Sequence, residues 1–270
     1  VSIPRLLLKG NLSPHRYSMK PSDAEELQYA EIIFWGGENL EIFLTKPISS
    51  LSKKAKVISL LQIDGLLLKS FRALRHSGKS EIFEFYTSNL SNDQYTEQKL
   101  AVDPHIWLDP ENAKIITNRI VKILSEYDPG NSKKYKKNGE NINVRLNELD
   151  YQLSSEMIEI SNRNYLVLHD AYQYFESRYQ LKNVGSITFN LDHFLGVRRL
   201  KEIQNMIKSN EVLCIFGEPQ YSQKTIEVLI EGTSVKKGIL DPIGTDLSPG
   251  PELYFNLMKN LSISLKSCLN

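Results

Sequence analysis

Residues 132–160 contain no proline, and Tyr135, Ile142, Val144, Leu146, Leu149, Leu153, Met157 and Ile160 recur there mostly at helical intervals. That spacing keeps apolar side chains on one stripe of an α-helix. At roughly 1.5 Å of rise per residue such a helix is about 40 Å long, more than a compact lobe of this chain needs. The chain is therefore read as two parts with a helix running between them: a lobe over residues 1–130, the helix over 131–162, and a lobe over 163–270.

Both flanks alternate short apolar runs with helical patterns. On the N-terminal side residues 5–8 form an apolar run, and residues 22–28 open a helix with Ser22 and Glu25 spaced as a capping box. Residues 30–35 read as a strand ahead of Gly36 and Gly37, and residues 56–61 as another. Residues 76–101 are polar, spotted with aromatics and aperiodic, which reads as a surface loop. Asp109 then serves as N-cap and Pro110 as first helical residue of a helix reaching Tyr127, which Asp128, Pro129 and Gly130 break. On the C-terminal side, predicted strands 165–168, 186–189, 212–216 and 237–240 alternate with predicted helices 171–179, 197–209, 224–231 and 251–267. Such alternation predicts an α/β fold with parallel sheets. The halves share this rhythm without a residue-level repeat.

The remaining composition narrows function by exclusion. Lys+Arg 33 against Asp+Glu 32 leaves a net charge of +1, so there is no basic footprint for nucleic acid or an anionic membrane. No apolar stretch approaches the roughly 18 residues of a membrane-spanning helix. Residues 1–8 have neither an initiator Met nor the charged and apolar regions of a signal peptide, so removal of a leader is expected. The two cysteines, Cys214 and Cys268, have no zinc-finger or C-x-x-C spacing. Thiolate ligation is a poor reading of them, and two unpaired buried thiols are as good a reading as any. Nucleophile elbow, phosphate loop and dinucleotide fingerprint are all absent.

Chemistry then falls to histidine, of which there are five. His15 follows the run at residues 5–8, His105 lies just before a helix start, His169 ends a predicted strand, and Asp241 follows another. In open parallel sheets, ligands bind beyond the carboxyl ends of the strands. Three imidazoles and a carboxylate suit tetrahedral Zn(II), with Mn(II) or Fe(II) open if the carboxylate binds through both oxygens. Isolated strand-end histidines are nevertheless more often hydrogen-bonded than metal-bound. His76 and His193 fit solvated or hydrogen-bonding roles. Asp170, beside His169, and Glu218, after a strand end, are placed to orient an imidazole, or simply to cap a helix and face solvent. Trp35 and Trp107 read as core or half-buried residues, and Lys133, Lys134, Lys136 and Lys137 as a solvated face.

Together these motifs resemble a family, the zinc-specific, cluster A-I solute-binding proteins of ABC importers. The resemblance covers nearly the whole chain. It rests on Ser13-Pro14-His15-Arg16-Tyr17-Ser18-Met19-Lys20-Pro21-Ser22-Asp23, on Asp103-Pro104-His105-Ile106-Trp107-Leu108-Asp109-Pro110-Glu111, and on His169-Asp170-Ala171-Tyr172-Gln173-Tyr174-Phe175-Glu176. Cys214-Ile215-Phe216-Gly217-Glu218-Pro219-Gln220 and Leu240-Asp241-Pro242-Ile243-Gly244-Thr245 complete it, in the same order. The resemblance implies two Rossmann-like lobes joined by one long rigid helix, and a metal held by His15, His105, His169 and Asp241. Manganese-directed relatives tend to carry Glu where His169 stands, which points to zinc with manganese as the alternative. It also implies a disulfide between Cys214 and Cys268, stabilising by about 4 kcal/mol in the chain-entropy model, and an oxidising periplasmic location.

The implied activity is capture of Zn(II) and delivery to a membrane permease, by a monomer that is not an enzyme and undergoes small lobe rotations. Its rivals are a zinc hydrolase, which would need an open coordination position and a general base, and a surface adhesin. Three departures from the family pattern stand out. The family usually has a βα unit before the segment that starts here, so the resemblance leads one to expect that unit either in a part of the protein ahead of this sequence or to be lacking from the gene; residues 76–101 lack a His- and acid-rich tract; and Arg16 follows His15 where an acidic residue is usual. Asp23 is a candidate partner for that cation.

Overall fold

In a computed structural model of the chain, residues 3–8, 12–15, 17–72, 102–188, 197–209 and 211–270 are described. Two compact units are formed, one from the described residues of Val1–Phe71 and Phe83–Asn147, the other from those of Arg72–Ile82 and Glu148–Asn270. Both are mixed α/β with parallel sheets, and the boundary falls inside a long helix. Residues 76–101, His76, His193 and Arg16 lie outside the described residues.

In the first unit, strands β1 (Ile32–Trp35) and β2 (Lys56–Ser59) pair in parallel, Ile33 against Val57 and Trp35 against Ser59. Helices α1 (Pro21–Tyr29) and α2 (Thr45–Leu51) flank them in sequence. Alternate β1 residues Ile33 and Trp35 point inward and cluster with Leu27, Leu44 and Ile48, the two-residue period of a strand meeting the apolar stripes of its helices. Helix α1 starts at Pro21, and Asp23 Oδ2 accepts from the Lys20 N–H at 2.8 Å. The capping thus falls to Asp23, not to the Ser22–Glu25 pair. Residues 5–8 form no strand, Arg5 and Leu6 being exposed and Leu7 half-buried, and among the described residues no strand pairs with them. Helix α3 (Pro110–Tyr127) is capped by Asp109, whose carboxylate accepts from the Glu111 N–H at 2.9 Å. Helix α4 spans Ser132–Met157 and tightens into a short 3₁₀ turn, Ile158–Ile160.

The second unit carries a four-stranded parallel sheet, β3 (Asn164–His169), β4 (Lys182–Thr188), β5 (Cys214–Gly217) and β6 (Lys236–Ile239), in the order β4-β3-β5-β6. Helices α5 (Gln173–Arg178), α6 (Val197–Ser209) and α7 (Lys224–Ile230) make the connections, and α8 (Leu253–Leu269) closes the chain. The chain leaves β3 toward β4, then crosses back to place β5 on the other side, so the strand order reverses beside β3. β3 and β5 are almost wholly buried, as continuous apolar runs covered on both faces should be. Leu166, Leu168, Ile187, Ile203, Ile207, Ile215, Ile226 and Leu229 form one core. Gly238 lets β6 lie against the Phe216 ring, which a Cβ there would meet at 2.5 Å. Cys214 and Cys268 are disulfide-bonded, tying β5 to α8 across a separation of 54 residues with Cα atoms 6.0 Å apart. Closing a loop of that length stabilises by about 4 kcal/mol in the chain-entropy model.

Candidate metal-binding residues

In the first unit, His15 sits in a turn and His105 heads the 3₁₀ turn Ile106–Leu108 that leads to α3. His105 is buried, and its Nε2 lies 3.3 Å from His15 Nε2. The other ring nitrogen, Nδ1, lies 2.7 Å from Asp103 Oδ1, which also accepts the His105 N–H at 2.9 Å. An ionised carboxylate only accepts, so the imidazole proton is drawn to Nδ1 and a lone pair is left at Nε2. Tetrahedral zinc with Zn–N bonds of about 2.0–2.1 Å places two ligand nitrogens about 3.3–3.4 Å apart. The separation of the two Nε2 atoms matches that value.

Local sequence explains how these rings are held. Asp103 is fully buried, and its N–H donates to the Lys69 carbonyl at 2.8 Å. The Val102 carbonyl accepts from Asn39 Nδ2 at 2.7 Å. Asn112 of α3 exchanges two hydrogen bonds with the backbone of Leu67, at 2.8 and 3.0 Å. The chain ahead of His105 is thus pinned from two sides. Two residues beyond His15, the Tyr17 hydroxyl donates to Asp23 Oδ2 at 2.6 Å and its ring stacks edge-on against Phe43. Asp23, a candidate partner for Arg16, is engaged with Tyr17 and the α1 cap.

In the second unit, the carboxyl ends of the strands carry the candidate groups, as strand-order reversal beside β3 leads one to look for. His169 is the last residue of β3 and is buried; its Nδ1 lies 3.3 Å from Glu218 Oε1, immediately after β5. Glu218 also accepts from the Tyr172 hydroxyl at 3.3 Å, which bonds the Leu240 carbonyl at 3.0 Å. Burial, together with Glu218 and Asp241, pushes the Tyr172 phenol well above its ordinary value, so it stays a donor. Asp241 organises the turn after β6. Its Oδ1 accepts from the N–H groups of Ile243 and Gly244, both at 3.1 Å, and from Gln220 Nε2 at 3.3 Å, while Oδ2 accepts from Thr245 N–H. Gly244 takes φ +72°, a left-handed conformation that favours glycine. Asp170 is turned to a different partner: its carboxylate takes the Arg72 guanidinium in a two-pronged ion pair, with Nε at 2.9 and 3.0 Å.

A family profile described as "Zinc-uptake complex component A periplasmic" matches residues 3–268. The chain belongs to this zinc-uptake component A family. It is 38% identical over 287 residues to the high-affinity zinc uptake system protein ZnuA of Brucella suis biovar 1, covering 100% of this chain and 86% of that protein. Its fold is similar to a crystal structure of ZnuA, with TM-score 0.77 and 24% identity, over 98% of this chain and 89% of that one. It is similar too to the SBP FpvC from Pseudomonas aeruginosa in complex with Mn2+, with TM-score 0.77 and 20% identity over 97% and 88% of the two chains. Proteins of the zinc-uptake component A family are metal carriers, not enzymes, and the family is a periplasmic one. Among the described residues no helix is long and apolar enough to cross a membrane.

Beside the candidate ligands, one residue's role was not read from the sequence. Asp103, two residues before His105, holds that imidazole; the signal was the Asp-x-His spacing itself, which lets a carboxylate fold back onto its neighbour's ring.

Proposed function

We propose that the metal ligands of this zinc-uptake component are His15, His105, His169 and Asp241. The chain is the zinc-binding component of an ABC zinc importer, as its family is. Zn(II) is its cargo, and the membrane permease and its ATPase are the partners the family implies. The single observation that carries the ligand set is the pair of Nε2 atoms of His15 and His105 at 3.3 Å, with Asp103 holding the proton of His105 on the far nitrogen.

Glu218 stands to His169 as Asp103 does to His105, so the imidazole proton is drawn to Nδ1 and Nε2 is left to ligate. Asp241 Oδ2 accepts the Thr245 N–H and retains a second lone pair for a cation. Three imidazoles with one carboxylate favour zinc, and Mn(II) is a weaker alternative because it stands at the bottom of the divalent affinity order at such ligands, below Zn(II). Zinc competes with protons for these nitrogens, so acid weakens binding.

Titration calorimetry tests the assignment. One zinc per chain is expected for the wild type, and a His105→Ala/His169→Ala double variant is expected to lose the high-affinity isotherm. An unchanged isotherm in the double variant would sink the ligand set.

A further inference from the structure

Immediately after His169, the chain carries two carboxylates that converge on one cation. Asp170 and Glu176 are both buried, and the Arg72 guanidinium meets both, with Nη2 2.7 Å from Glu176 Oε2 and Nε 2.9 Å from Asp170 Oδ2. Glu176 is also held by its other oxygen, which accepts from Asn183 Nδ2 at 2.7 Å and the Tyr165 hydroxyl at 3.2 Å. Tyr165 belongs to β3 and Asn183 to β4, so Glu176 is fixed to the sheet. Through the guanidinium, so is Asp170. Between the two carboxylates the chain turns sharply, with the Ala171 N–H donating to the His169 carbonyl at 2.9 Å and the Glu176 N–H to the Tyr172 carbonyl at 2.9 Å.

We propose that Arg72 is a positioning residue for His169: by clamping Asp170 to the sheet-anchored Glu176, it fixes the turn that aims the imidazole. The proposal rests on the reading of His169 as a zinc ligand. A planar guanidinium offers forked donors in fixed directions, which two carboxylates on separate turns can share, whereas a lysine ammonium is a point charge without that fork. Both carboxylates are desolvated, so each holds its position strongly when paired and repels the other when not. Burial pushes the Glu176 carboxyl up and Arg72 draws it back down, in keeping with an arginine that maintains the ionised pair. An imidazole whose backbone is one bond from Asp170 is placed by that clamp on one side and by Glu218 on the other.

The test is a double-mutant cycle on zinc affinity, read by competition with a chromophoric chelator, together with the visible spectrum of the Co(II)-loaded protein. Arg72→Met is expected to weaken zinc binding about tenfold or more, the usual size of an effect transmitted through a ligand's supporting residue, and to alter the Co(II) bands. In a His169→Ala background the same substitution is expected to change affinity by less than about twofold, because the ligand it positions is gone. Arg72→Lys keeps the charge that the buried carboxylates need for folding, loses the fork, and serves the same cycle with a smaller effect of the same sign. Additive losses in the cycle, or an unchanged Co(II) spectrum in both Arg72 variants, would overturn the positioning role. If His169→Ala itself leaves zinc affinity intact, it is the ligand assignment that fails, an outcome distinct from failure of the clamp.

Discussion

The Asp103 carboxylate does two jobs for one histidine, accepting both its backbone N–H and its ring Nδ1. Replacing it with Asn offers an amide that can still occupy the space but no longer favours one tautomer. Asp103→Asn is expected to lower zinc affinity about 10–100-fold while leaving thermal unfolding of the zinc-free protein close to wild type. An unaltered affinity would mean that His105 is oriented by its backbone alone. At this scale the sequence was uneven. His105 and His169 were legible as candidates because they stand at a helix start and a strand end, where open parallel sheets bind ligands. The roles of Asp170 and Arg72 were not, since their partnership spans 98 residues and no local pattern announces an ion pair between residues so far apart. Asp23, a carboxylate near a cation in sequence, accepts from Tyr17 and caps α1, while Arg16 lies outside the described residues.

Helices and strands were most readable where capping chemistry and period agree. Asp109 and Pro110 mark the start of α3 in sequence and in structure alike, and the proline-free stripe of α4 ends within one 3₁₀ turn of its reading. The apolar run at residues 5–8 carried no information about a partner strand, which is what decides whether such a run pairs. Helix α2 escaped notice because Pro47 and two serines mask its period over only seven residues. Between α3 and α4 the chain turns at Asp128, whose Oδ2 accepts from Asn131 Nδ2 at 2.7 Å and from the Tyr135 hydroxyl at 3.0 Å. These bonds hold the Asp128 carboxyl below its ordinary 3.8. A carboxyl lowered on folding contributes stability that is complete above the ordinary value and is lost as pH falls through the folded one. The wild type is therefore expected to exceed Asp128→Asn in urea midpoint at neutral pH, with the gap closing in strong acid. A gap that does not change with pH would dismiss this junction as a source of acid sensitivity.

Across the whole molecule, the α/β class followed from alternation, but the strand order β4-β3-β5-β6 did not. Which neighbour a buried apolar strand chooses depends on crossovers and packing that the run itself does not encode. The same holds for the disulfide between Cys214 and Cys268. Spacing left those cysteines open, the family resemblance implied their pairing, and the proximity of β5 to α8 makes the bond possible. For the proposed metal ligands, too, residue types and strand-end positions allowed many readings, and the ordered motifs of the zinc-uptake component A family favour one of them. The most direct measurement is X-ray absorption at the zinc K-edge of the loaded wild-type protein. Three imidazoles with zinc–nitrogen distances of about 2.0–2.1 Å and one oxygen ligand are predicted. A shell with sulfur, or with fewer than two imidazoles, would contradict the account.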